Sequence, residues 1–362
     1  MHKQLGLLTG GGDAPGLNAV IRAVARTALR QGWEVLGFLD GYAGLIENRA
    51  VNLTSDYISG LLHRGGTILG SNNRDNPFHF PVQTDNGIVF KDMSAQAVAN
   101  LGHNKVDCLI AIGGDGSLAI AHELAQQGAR VIGVPKTIDN DLLATDQTFG
   151  FDTAVATATE ALDRLHTTAE SHHRVMVLEL MGRHAGWIAL VSGIAGGADV
   201  ILIPEIPWQI DSVVAKINER QAEGKRFSIV VVAEGVKDPA GKAIFRREVP
   251  GAHDRYRLGG IGSVVAGLIE DAAGVECRAT VLGHLQRGGS PSAFDRLLAT
   301  RYGVVAAQLA LSGQHNLMVC LQGQDVKAVP IHLVARGTRS VPVESQLVQT
   351  ARALGLCLGD SN

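Results

Sequence analysis

The apolar positions of this chain fall into short blocks, and block after block ends in glycine or a small polar residue. Leu5 to Thr9, Val106 to Ile112 and Val131 to Val134 are apolar runs of strand length, interrupted only by Asp107 and closed by Thr9, the pattern of strands buried on both faces. Glu34 to Phe38, Val175 to Leu180 and Ser228 to Ala233 read the same way. Between them Leu17 to Arg26, Leu118 to Leu124 and Glu160 to Leu165 have helical patterns, and Pro135 is expected to end the strand begun at Val131. Strands alternating with helices through glycine turns predict an α/β fold of two Rossmann-like lobes with mostly parallel sheets, and an active site in the cleft between them. A further helical pattern, Gln346 to Leu354, lies in the tail from Ser340 to Asn362 and predicts a packing role.

Length and charge narrow the class. The 362 residues exceed one typical core, and 46% hydrophobic against 19% charged residues lets two domains each bury one. A net charge of −3, from 32 basic and 35 acidic side chains, gives no reason to expect nucleic acid or an anionic membrane as partner. Cys108, Cys277, Cys320 and Cys357 are scattered without metal-ligand spacing, which predicts reduced thiols in a cytoplasmic protein. The chain runs from Met1 almost directly into a strand, and no apolar stretch approaches membrane length, so neither signal peptide nor membrane span is expected. The 44 glycines stand well above the usual proportion of about 7%.

Those glycines cluster where chemistry is expected. Gly10-Gly11-Gly12-Asp13-Ala14-Pro15-Gly16 joins a strand to a helix, so its backbone amides and the helix amino terminus make an anion cradle, although it is neither GxGxxG nor Walker A. Gly113-Gly114-Asp115-Gly116-Ser117 repeats that geometry. Asp115 there either approaches polyphosphate through a divalent cation or caps the helix. An exposed Tyr42 either stacks on a base or staples a loop, and Arg64 to Arg74 forms a small polar loop ending in a cation. Pro135-Lys136-Thr137-Ile138-Asp139-Asn140-Asp141 gathers two carboxylates, a hydroxyl and a cation at a strand end. If the chain stays extended there, Asp139 and Asp141 point the same way about 6 to 7 Å apart; the alternative is an Asx turn with solvated carboxylates. Met181-Gly182-Arg183 and Glu234-Gly235 end two later strands, and His284 and Arg287 lie three apart, on one face of a helix or tight turn.

Five of these motifs, Gly11 to Asn18, Gly113 to Ser117, Pro135 to Asp141, Met181 to Gly186 and Leu282 to Gly289, together resemble the 6-phosphofructokinase family over residues 4 to 335. The resemblance implies transfer of the terminal phosphoryl group of Mg²⁺-ATP to the C1 hydroxyl of fructose 6-phosphate, a committed step of glycolysis. It implies a nucleotide lobe of residues 1–150 with 286–335, and a sugar-phosphate lobe of residues 151–285 with 336–362. Nucleotide contacts would come from Gly11, Gly12, Tyr42, Arg74, Gly113, Gly114, Asp115, Gly116 and Ser117, with Asp115 and Asp141 governing Mg²⁺. Asp139 would be the general base, held by Thr137, while Lys136 and Arg183 offset charge on the moving phosphoryl group. Thr137, Asp139, Asp141, Met181, Gly182, Arg183, Glu234, His284 and Arg287 would bind the sugar. Arg174 and Arg278 would reach into a neighbour's sugar site in a homotetramer.

Donor and regulation are where the signatures mix. Gly116 leaves room for the α-phosphate of ATP, where pyrophosphate users of the family commonly carry Asp; Lys136 is common in pyrophosphate users, where bacterial ATP users have glycine. The steric argument favours ATP, with pyrophosphate as the alternative donor. A non-catalytic nucleotide or sugar-phosphate sensor would not need Asp139, Asp141 and Arg183 together, and a diacylglycerol or NAD kinase, which shares the GGDG turn, would not need Pro135 to Asp141. Arg22 and Arg26 match arginines of an effector site in allosteric bacterial members, to which Lys225 or Arg226 would add. His166 stands where those have an arginine and Asp199 where they have a metal-binding Glu, so their ADP or phosphoenolpyruvate control is expected to be weakened or replaced.

Overall fold

A computed structural model describes residues 3–85, 87–248 and 256–360, so the outermost residues of the predicted lobes, 1–2 and 361–362, lie outside the described residues. The chain divides into two compact units. Of the described residues, those within 1–138, 142–152 and 287–338 form the first, and those within 139–141, 153–286 and 339–362 the second.

In the first unit an eight-stranded sheet runs Asp325–Pro330, Leu317–Gln322, Val131–Thr137, Cys108–Gly113, Gln4–Thr9, Glu34–Phe38, Ala50–Asn52, with the short Phe149–Gly150 joined to Val131–Thr137. The interior strands are parallel, and the antiparallel pairings are confined to the two edges. Alternation along each strand divides its side chains between two cores. Leu5, Leu7, Ile110, Ile112, Ile132 and Val134 pack with helices Leu17–Leu29 and Ala293–Leu311. Leu8, Leu109, Ala111 and Val131 pack with Ser94–His103 and Asp115–Gln126. Burial on both faces is why these strands carry almost no polar side chains.

Pro135 does not end its strand. Val131–Thr137 pairs with Cys108–Gly113 up to Gly113 opposite Pro135, then takes Phe149–Gly150 as its partner from Lys136 onward. The proline thus sits at the hand-over between neighbours, where a missing N–H interrupts the ladder least.

The second unit holds a parallel sheet in the order Val200–Leu202, Ser228–Ala233, Val175–Leu180, Cys277–Val281. Its outer edge at Val200–Leu202 is closed by the tail, because Ile201 N–H donates to Cys357 O at 2.9 Å and Cys357 N–H to Asp199 O at 3.0 Å. The helical pattern of Glu160 to Leu165 belongs to a longer helix, Phe151–His172. Cys108, Cys277 and Cys320 are buried free thiols. No helix among the described residues is long and apolar enough to cross a membrane.

Candidate functional site

In the first unit the two glycine turns emerge side by side, because Gln4–Thr9 and Cys108–Gly113 are neighbours in register from Leu5 and Cys108 to Thr9 and Ile112. Gly10 N–H donates to Ile112 O at 2.9 Å. Ser117 is wedged between the turns. A Cβ on Gly10 would stand 2.6 Å from its Oγ and one on Gly113 only 2.3 Å from its Cβ, so both positions need glycine.

Tyr42 is buried, not exposed, and donates its hydroxyl to Ser117 O at 2.6 Å. Desolvation drives its phenol far above the ordinary range. It braces the turn from inside, and stacking on a base is closed to it by burial. Asp115 is exposed in the first turn of Asp115–Gln126, whose cap residue is Gly114 with no side-chain capping bond. Capping therefore does not account for Asp115 or Ser117.

Two cations meet the first turn. Lys136 is buried to 2% exposure and donates Nζ to Gly12 O. Arg287 donates Nη1 to Asp13 O at 3.0 Å, and a Cβ on Gly12 would lie 2.8 Å from that nitrogen. The loop carrying the exposed Arg74 completes the rim: Gly11 N–H donates to Asn72 O at 3.0 Å and Ser71 Oγ to Gly11 O at 2.5 Å. Asn18 fixes that loop from helix Leu17–Leu29, donating to Arg64 O and Gly65 O at 3.1 Å each and accepting from Ile68 N–H at 2.9 Å. Its role could have been read from an amide standing among Leu17, Ala19, Val20 and Ile21. With the Gly10 and Gly11 amides bonded internally, what this end offers an anion is the amino terminus of helix Asp115–Gln126 and the two cations beside the first turn.

In the second unit the carboxyl ends of adjacent strands bring Met181, Gly182, Arg183 and Glu234 together. Leu180 is in register with Ala233; Glu234 N–H donates to Leu180 O at 2.8 Å and Gly235 N–H to Gly182 O at 3.0 Å. Gly182 has φ 139°, which favours glycine. Glu179, one strand residue earlier, is buried and accepts from Gly260 and Gly262 N–H at 3.0 and 2.8 Å. It thereby anchors helix Ile261–Ala273 at its positive end.

The exposed His284 lies on the short turn Gly283–Gln286, just past Cys277–Val281 and at the same end of this sheet. Arg287, three residues on, falls in the other compact unit, where its guanidinium is spent on the glycine turn.

Arg174 and Arg278 sit at the opposite end of the sheet. Arg174 precedes Val175, and Arg278 pairs with Met176, which leaves them about 20 and 13 Å from the Leu180 end at about 3.3 Å per residue. Arg174 is 2.7 Å from Glu276, whose carboxyl it holds below the usual range, and Arg278 pairs with both Glu276 and Glu270. Within one chain these arginines do not join Met181 and Glu234.

Asp139 to Asp141 does not run extended. Asn140 is left-handed at φ 52°, so strand alternation does not govern the two carboxylates. Asparagine tolerates this conformation better than most residues, and Arg339 holds it. Its Nη2 and Nε donate to Asn140 O at 2.9 and 3.2 Å, and its N–H to Asp141 O at 2.7 Å. These bonds group 139–141, expected in the first lobe, with the second unit.

His166 and Asp199 are engaged inside the second unit. His166 Nε2 is 2.7 Å from Gly196 O, and its ring meets Phe227 edge-on. Asp199 pairs with Arg220 at 2.8 Å and accepts from Ile229 N–H at 2.8 Å, while desolvation pushes its carboxyl above the ordinary range. No cluster of three metal-ligating side chains occurs among the described residues.

The family model described as Phosphofructokinase matches residues 4–310. An ATP-dependent 6-phosphofructokinase 2 of Clostridium perfringens is 55% identical, over 99% of each chain. A pyrophosphate–fructose 6-phosphate 1-phosphotransferase of Amycolatopsis mediterranei is 49% identical over 94% of this chain and 97% of its own. Among solved structures, Pichia pastoris phosphofructokinase in the T-state superposes with a TM-score of 0.80 at 31% identity. It covers 98% of this chain, which spans 37% of that longer one.

Proposed function

The chain belongs to the phosphofructokinase family, and we propose that it transfers the terminal phosphoryl group of Mg²⁺-ATP to the C1 hydroxyl of fructose 6-phosphate. The observation that carries this reading is the rim of paired glycine turns, joined by Ser117 and faced by Lys136 and Arg287. Such a rim suits a nucleotide polyphosphate, so the first unit is the donor side. The carboxyl-end cluster of Met181, Gly182, Arg183, Glu234 and His284 is the sugar side.

Phosphoryl transfer needs positioning and charge stabilisation more than covalent help. An ordinary Asp, with pKa about 3.9, cannot ionise a sugar hydroxyl outright. Asp139 accepts the proton as the new O–P bond forms, and Lys136 and Arg183 offset the charge on the moving group. Mg²⁺ fits as an ion brought in on the nucleotide, because the exposed Asp115 beside the rim is a hard oxygen donor and such ions keep waters and phosphate oxygens as most of their ligands. It would supply neutralisation of phosphate charge, with Asp115 holding it directly or through water.

Arg174 and Arg278, remote from their own chain's sugar cluster, serve a neighbouring copy in a homotetramer. The buried free thiols favour a cytoplasmic setting.

One observation favours a second reading, in which pyrophosphate is the donor: Lys136 is buried against the glycine turn, where it can meet a terminal phosphate. Gly116 weighs more heavily, because a carboxylate at that position could not escape an α-phosphate, whereas a buried lysine can meet the γ-phosphate of ATP as readily as pyrophosphate. A coupled assay for fructose 1,6-bisphosphate tests the reading. Formation dependent on both ATP and fructose 6-phosphate supports it, and its absence with a purified folded chain would leave the sensor reading in its place.

A further inference from the structure

The Asp139 to Asp141 turn is secured from far along the chain. Arg339, in the stretch after the last strand, turns its planar fork onto the single carbonyl of Asn140 and its own N–H onto the carbonyl of Asp141. Its guanidinium lies over the Trp187 ring, 4.8 Å from the centroid, and Trp187 Nε1 donates back to Arg339 O at 2.9 Å. Trp187 begins the helix that follows Met181 to Gly186. The same seam is closed by Glu205, which accepts from Gly186 N–H at 3.0 Å and from Val341 N–H at 2.8 Å. A continuous set of contacts thus ties the backbone of one predicted site motif to another.

We propose that Arg339, with Trp187 as its platform, is a positioning residue for the reaction, fixing the left-handed turn at Asn140 so that the Asp139 and Asp141 carboxylates are presented in one orientation. A non-glycine residue at positive φ is uncommon and needs its surroundings to hold it. Two N–H groups on the Asn140 carbonyl and one on the next hold this backbone, and a stacked guanidinium has little freedom to leave. If the turn relaxes toward extended geometry, the two carboxylates change direction while the rest of the unit keeps its packing. The inference rests on the reading of Asp139 as general base.

The test compares Arg339→Ala and Arg339→Lys, full length, with the parent chain in the fructose 1,6-bisphosphate assay and in thermal unfolding. Lysine keeps the charge but loses the planar fork. Both variants are expected to lose about 10- to 100-fold in kcat with KM for ATP unchanged, the scale of a misplaced catalytic group. Free guanidinium ion is expected to restore part of the loss in Arg339→Ala but none in Asp139→Asn. Asn140→Gly should retain more activity than Asn140→Ala, since glycine accepts positive φ and alanine does not.

A merely structural staple would lower the unfolding midpoint and leave kcat per folded molecule unchanged. That result, or parental kcat in Arg339→Lys, overturns the proposal. Parental turnover in Asp139→Asn would instead overturn the reading on which it rests. Lost turnover there beside intact Arg339 variants overturns the positioning role alone.

Discussion

Gly235→Ala should damage turnover far more than a single methyl suggests. Gly235 follows Glu234 at a strand end, and its φ is not in the left-handed region, so alanine is acceptable to the backbone by itself. The obstacle is steric. A Cβ there would stand 2.1 Å from Arg183 O and 2.8 Å from Gly182 O. A carbon and a carbonyl oxygen approach to about 3.3 Å, so the Arg183 backbone must retreat by about 1.2 Å. Overpacking of this kind costs about 1–3 kcal/mol of stability, and a shift of about 1 Å in a catalytic group costs up to about 10²-fold in rate. Fructose 1,6-bisphosphate formation and the thermal midpoint, measured together, separate the two effects. Gly267→Ala is the control: nothing lies within 4 Å of its Cβ position in helix Ile261–Ala273, so alanine should stabilise by about 0.5–1 kcal/mol. A Gly235→Ala enzyme with parental kcat and midpoint would refute the close approach and Arg183's dependence on it.

Asp139→Asn should cut turnover by about 10² to 10⁴ while leaving fructose 6-phosphate binding nearly intact, and a loss of less than severalfold in stopped assays would remove its role as base. Burial pushes the Cys108 and Cys277 thiols up to about 12, so at pH 8 only about one molecule in 10⁴ carries either as thiolate. A chromogenic disulfide should therefore label them only on unfolding, and with the sign of a raised pKa any native-state labelling should grow as pH rises. Because His166 and Asp199 are committed to Gly196 and Arg220, ADP should not turn a sigmoidal fructose 6-phosphate curve hyperbolic, which saturation curves with and without ADP will check.

What the sequence could and could not disclose follows from the range of the forces involved. The buried strands were legible because two-sided burial leaves a local mark, a run without polar residues, as in Leu5 to Leu8 and Cys108 to Ile112. The glycine turns were legible for a similar reason. Gly10 and Gly113 are needed because of Ser117, and the turns' own composition announces them. The left-handed Asn140 was not legible, since its partner Arg339 stands 199 residues away and nothing near Asp139 distinguishes an extended segment from a turn. Tyr42 misled because the core it packs into includes Leu109, Leu118 and Ala121, and its hydroxyl's partner, Ser117 O, stands 75 residues on. His284 and Arg287 share a local spacing, yet the chain crosses between compact units at Gln286 and Arg287, and no spacing rule sees that boundary.

The most direct test of the account is kcat/KM with each donor, at saturating fructose 6-phosphate and Mg²⁺. A higher value is expected for ATP than for pyrophosphate, and a lower ATP value when Gly116→Asp crowds the α-phosphate. A higher value for pyrophosphate in the parent chain would contradict it, and would mean that Lys136 beside Gly12 O, not the space at Gly116, selects the donor.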